Sequence, residues 1–153
     1  MFGPQLPPSG TARPIQQRQA LRYKEVKTLS SLEVLGAGLS YVGFDKARQE
    51  SVNHECNVER FKAHYGIPPP AVAPMLLDLR ADNPDLVYKK TLMAMNWLFV
   101  YNTYPVMAGT WGYSENFIGR QVIEYTRKIQ KLHKKKLSSS STQMLKFRSQ
   151  LIL

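Results

Sequence analysis

Sulfur chemistry has little foothold in this sequence, where Cys56 is the single cysteine among 153 residues. An internal disulfide framework is excluded, and the composition fits a reducing compartment. Long hydrophobic runs are missing as well. The most apolar stretch, Leu92 to Tyr101, is interrupted by Asn96 and reaches about half of the ~20 residues that a membrane-crossing helix needs. No membrane partner is expected. Acidic residues are scarce in only one part of the chain. Residues 1–86 hold 10 Lys and Arg against 9 Asp and Glu, whereas residues 87–153 hold 11 against 2. The net charge of +10 therefore sits in the C-terminal part, where it favours an anionic partner such as nucleic acid.

Catalytic signatures are absent too. The chain contains no G-x-S-x-G, H-E-x-x-H or Walker pattern. "GAGLSYVG", Gly36 to Gly43, has glycines without the spacing of a phosphate-cradling loop, and no basic residue follows in place. His54, Cys56 and His64 offer three soft ligands where a structural zinc takes four, at spacings that fit no common zinc pattern. Cys56 has no histidine and acid partner that sequence can identify, and it is expected as a packed thiol rather than a nucleophile. No catalytic residue, metal or cofactor is assigned, and the chain is expected not to be an enzyme.

Paired strand patterns are lacking, and helical periods are what remain. The fold class expected is all-α, a small helical bundle with a helix-turn-helix and disordered N- and C-terminal tails. Residues 1–20, rich in Pro, Gly and Gln, read as a disordered tail. Their arginines and lack of acids resemble an organelle presequence, but their prolines oppose the amphipathic helix such a signal needs. Residues 21–44 read as a short helix and loop, 45–136 as a helical DNA-binding domain, and 137–153 as a tail, with Ser138 to Ser141 marking the end of order. Within the domain, Asp45 caps a helix that runs to Gly66 with an interruption near Asn53. A second helix covers Val72 to Leu79 with Pro74 in its first turn. "ADNPD" makes a turn. Leu86 to Asn102 is apolar around most of its circumference and should form the buried centre, Trp97 and Phe99 included. Tyr104 to Trp111 is a short helix, and Ser114 starts the last long one.

The stretch "AGTWGYSENFIGRQVIEY", Ala108 to Tyr125, has the residue types a helix-turn-helix needs. Ala108 is small where two helices cross, Gly112 permits the sharp turn, and Ile118 closes the core six residues later. Ser114 can cap the second helix, with Glu115 favourable near its positive end. Ile118, Val122, Tyr125, Ile129 and Leu132 recur as one stripe at helical period. At about 100° per residue, Asn116, Arg120, Arg127, Lys131, Lys134 and Lys135 gather roughly opposite. Asn116, Arg120 and Gln121 suit base edges, since such side chains pair in bidentate fashion with adenine or guanine. Arg127, Lys128, Lys131, Lys134 and Lys135 suit phosphates. The partner expected is double-stranded DNA. RNA, in an organelle particle, and a homodimer packed through the stripe stay open as alternatives. Lys131 to Lys136, "KLHKKK", also fits a nuclear import signal, so a nuclear location is expected, with cytoplasm or an organelle as alternatives.

From "ERFKAHYGIPPPAVAPMLLDL" through "LMAMNWLFVYNTYPVMAGTWGYSENFIGRQVIEYTRKI" the chain resembles the helical region ahead of the catalytic domain in Harbinger-type DDE transposase-like proteins. That resemblance, over about Asn57 to Leu132, implies a DNA-recognising helix-turn-helix with Asn116, Arg120 and Arg127 as contacts. By this resemblance an RNase H-like domain with three metal-binding carboxylates would follow Leu137, where the sequence instead reads "SSSSTQMLKFRSQLIL", and the catalytic carboxylates are expected to be absent. Asp45, Asp78, Asp82 and Asp85 are expected in caps and turns and cannot substitute. The resemblance thus implies a fragment or remnant that binds DNA without catalysis.

Overall fold

Most helix starts are set by side chains that satisfy backbone N–H groups a helix cannot pair for itself. The structure, a computed structural model, describes the backbone of residues 29–151 and the side chains of residues 29–139. Ser30 accepts from the Glu33 N–H at 3.2 Å while the Glu33 carboxylate accepts from the Ser30 N–H at 2.9 Å, a reciprocal cap that opens α1 (Ser31–Tyr41). Asp45 caps α2 (Lys46–Glu50) through the Arg48 N–H. Asn53 caps α3 (His54–Tyr65) through the Cys56 N–H, so the interruption expected near Asn53 is a fresh helix start. Gly66 ends α3 at φ 83°, a left-handed position suited to glycine. Then follow α4 (Pro69–Asp82), α5 (Tyr88–Val100), α6 (Tyr104–Trp111) and α7 (Glu115–Leu151). The described residues form seven helices and no strand, in agreement with the all-α expectation.

Six consecutive residues of α5, Thr91 to Asn96, are buried, because other helices cover this segment all round. α7 packs along it most extensively, α3 also lies against it, and α1 bridges α3, α4 and α5. The main core joins Leu39, Phe61, Val72, Leu76, Met93, Met107, Trp111, Ile118 and Val122. A second cluster of Leu79, Leu86, Ala94, Tyr125 and Leu132 continues it toward the α4–α5 turn.

Several expectations need correction. The domain boundary drawn at Asp45 excludes α1, yet Val34, Leu35 and Leu39 are core residues. The glycines that make this stretch look loop-like instead permit close packing. A Cβ on Gly38 would run into the Phe61 ring and lie 3.2 Å from that of Tyr65. The Tyr65 hydroxyl donates to the Gly38 carbonyl at 2.6 Å, in a buried position. That burial pushes the phenol's ionisation well above its ordinary value. The second helix begins at Pro69 rather than Val72. Pro69 and Pro70 fill the first turn, where a missing N–H costs nothing, and Pro74 lies inside the helix. The buried-centre reading holds only for the first part of α5. Trp97 is half-buried, Phe99 is 55% exposed, and Leu98, Val100 and Tyr101 are exposed beside it. Phe99 covers Gly66, where a Cβ would lie 2.6 Å from its ring, instead of entering the core.

At the C-terminal end α7 does not stop at the serines but continues to Leu151. Serine weakens a helix far less than glycine or proline does, so four in a row need not end one. The tail expected at 1–20 lies outside the described residues.

Gly38→Ala is expected to cost about 1–3 kcal/mol through overpacking against Phe61 and Tyr65. Gly109 in α6 has open space around its Cβ position, so Gly109→Ala should instead gain up to about 1 kcal/mol in helix propensity. Urea denaturation of the two variants checks the pair, and equal midpoints would contradict the close approach at Gly38.

Candidate nucleic-acid interface

The turn between α6 and α7 has the geometry that its residue types suggest. Gly112 adopts φ 74°, and its N–H closes α6 on the Ala108 carbonyl at 3.0 Å. Ser114 accepts from the Phe117 N–H at 3.3 Å and so caps α7. Ala108 packs against the main core, and Ile118 is fully buried in it. Gly119 is a contact the sequence pattern does not reveal: a Cβ there would come within 3.2 Å of the Tyr104 ring, which lies over α7 at this point.

Polar links hold this unit in place. The Trp111 indole N–H donates to the Asn96 side-chain carbonyl at 3.3 Å, and the Asn96 amide donates to the His64 carbonyl at 2.8 Å. The chain of bonds ties α6 to α5 and α5 to α3. Trp111 itself is 2% exposed. Farther along, the Tyr125 hydroxyl accepts from the Val87 N–H at 3.1 Å, anchoring α7 at the start of α5.

The stripe on α7 packs inward. Ile118, Val122, Tyr125 and Leu132 are buried and Ile129 is half-buried within this chain. The stripe is thus covered by the chain's own helices. Opposite the stripe, Asn116, Arg120, Arg127, Lys131 and Lys134 are exposed. Among the described residues none of these four cations has a carboxylate partner. The expected site does not stay together as one face, however. Gln121 is half-buried on the flank. Lys128 bonds Glu124 at 3.2 Å and lies 4.4 Å from the Tyr125 ring centroid. Lys135 pairs with Asp82 at 2.9 Å, and Lys136 with Asp78 at 2.7 Å. Both aspartates lie within α4, which corrects their expected placement in caps and turns. Lys128, Lys131 and Lys135 line a cavity of about 390 Å³ with Asp82, Asn83 and Leu132.

No family model, curated protein or solved structure matches the chain. The Harbinger likeness thus rests on its residues alone.

Some residues of this surface escape the sequence reading. Ile123, 48% exposed, stands among the cations of the outer face; its position off the stripe was legible from the helical period, but a search for polar groups passes over it. Lys89 and Lys90, at the start of α5, lie beside the Tyr113 and Phe117 rings. That proximity is tertiary and leaves no local pattern. The zinc-like trio is spread out in function: the His64 ring Nδ1 bonds the Arg60 carbonyl at 2.9 Å, His54 is exposed and Cys56 is half-buried. Among the described residues no three His, Cys, Asp or Glu side chains are grouped to hold a metal ion.

Asn96→Ala leaves the Trp111 N–H and the His64 carbonyl without their partner. The expected loss is roughly 2–3 kcal/mol in chemical denaturation, with a shift in Trp111 fluorescence. A near-neutral result would show that α6 is held by apolar packing alone.

Proposed function

We propose that this protein binds double-stranded DNA by placing the N-terminal part of α7 in the major groove. The observation that carries the reading is the row of exposed cations Arg120, Arg127, Lys131 and Lys134, without carboxylate partners among the described residues, on the side of α7 opposite its buried stripe. A helix of this kind fits the wide major groove of B-form DNA, whereas the deep, narrow major groove of an RNA duplex does not admit one. Asn116 and Arg120, in the first two turns of α7, read base edges. Ile123 adds an apolar contact suited to a thymine methyl. Arg127, Lys131 and Lys134 contact phosphates. Lys128, Lys135 and Lys136 are already engaged with carboxylates and carry little net charge toward a ligand. The likeness to Harbinger-type proteins points the same way.

Replacing Arg127, Lys131 and Lys134 together by Glu is expected to lower duplex affinity at least tenfold and to flatten its salt dependence, by roughly one unit of slope for each phosphate no longer neutralised. Asn116→Ala and Arg120→Ala should each cost about 1–3 kcal/mol on a preferred site and relax the choice of base there. Fluorescence anisotropy with labelled duplexes measures both effects. Unchanged affinity and slope in the triple variant would overturn the assignment of this face.

A further inference from the structure

The start of α5 carries two lysines where helix electrostatics favours acids. The first turn lies at the positive end of the helix dipole, yet α5 has no acidic residue there and no side-chain cap. Neither Lys89 nor Lys90 has a carboxylate partner among the described residues, in contrast to Lys128, Lys135 and Lys136. Both are half-buried and point at aromatic rings. The Lys89 ammonium is 4.7 Å from the Tyr113 ring centroid and 5.5 Å from that of Tyr41, and the Lys90 ammonium is 5.2 Å from that of Phe117. Tyr113 belongs to the turn and Phe117 to the first turn of α7, and their rings pack on each other at 4.7 Å. Aromatic faces attract a cation and orient it without cancelling its charge.

We infer that Lys89 and Lys90 form a phosphate clamp for duplex DNA, set beside the turn by the Tyr41, Tyr113 and Phe117 rings. The clamp rests on the reading of α7 as the element in the groove. A helix entering the groove at its N-terminal end brings the flanking sugar-phosphate backbone against the turn and the helix before it. There the two ammoniums meet phosphates, which fix the register of the protein on the duplex and carry no sequence information. Their unpaired state and their poor fit to the local dipole have one common explanation: the counter-charge arrives with the ligand. The binding surface is then two-sided, with base-reading side chains on α7 and a positioning pair on α5.

The test uses the full chain as wild type, as the double variant Lys89→Gln with Lys90→Gln, and as the double variant Lys89→Arg with Lys90→Arg. Anisotropy titrations with short duplexes of several sequences run across roughly 50 to 200 mM salt, the range over which phosphate contacts dominate affinity. In the glutamine pair, affinity should fall at least tenfold for every duplex alike, the salt slope should drop by roughly two, and the melting temperature should stay near that of wild type. The arginine pair should restore binding. A glutamine pair that keeps wild-type affinity and slope overturns the clamp while leaving the DNA reading intact. So does one whose loss merely tracks a lower melting temperature, because that is the mark of a structural role between α5 and α7. Wild type without affinity for any duplex overturns the DNA reading itself.

Discussion

Burial of one stripe on α7 against α5 decides where everything else on the C-terminal helix points. Ile118, Val122, Tyr125 and Leu132 are withdrawn from water, and each large apolar side chain so buried contributes about 1.5–3 kcal/mol. Exposed charges on the far side contribute little to folding by comparison. The apolar side therefore sets the rotation of the helix, and helical geometry then leaves Asn116, Arg120, Arg127, Lys131 and Lys134 outward. Their identity is not required by the fold, which leaves it open to selection by a partner.

Joints between helices are made by a few polar atoms in otherwise apolar surroundings. Asn96 links Trp111 to His64, Tyr125 holds the Val87 N–H, and Tyr65 reaches the Gly38 carbonyl. Each bond satisfies a group whose burial without a partner would cost more than the bond itself returns. These links fix α6, α7 and α1 on the frame of α3 and α5. The turn at Gly112 consequently sits at a defined place above the start of α5, where Lys89 and Lys90 lie.

Local rules made much of this legible. Asp45, Asn53, Gly66 and Ser114 act through backbone groups within four residues of themselves, so their roles follow from sequence. The short helix α6 has the expected bounds because Pro105 suits its start and Gly112 its end. What resisted reading was tertiary. Gly38 resembles a breaker until Phe61 and Tyr65 occupy the space a side chain would need. Phe99 has core composition but covers Gly66 at the end of α3. Lys135 falls near the basic face by periodicity, yet Asp82, 53 residues away, claims it. The clustering of Lys89 with Tyr41 and Tyr113 joins three separate segments and has no trace in spacing.

Among the residues whose side chains are described, the cations of α7 thus divide by position into those engaged with Glu124, Asp82 and Asp78 and those left facing solvent. Backbone amide NMR spectra recorded while a short DNA duplex is added would test this division most directly. Shifts should concentrate at Asn116, Arg120, Ile123, Arg127 and Lys131 and along the turn at Gly112, leaving Leu98 to Tyr101 undisturbed. Shifts confined to the Leu98 and Phe99 end, or none at all at saturating duplex, would contradict the role given to the outer face of α7.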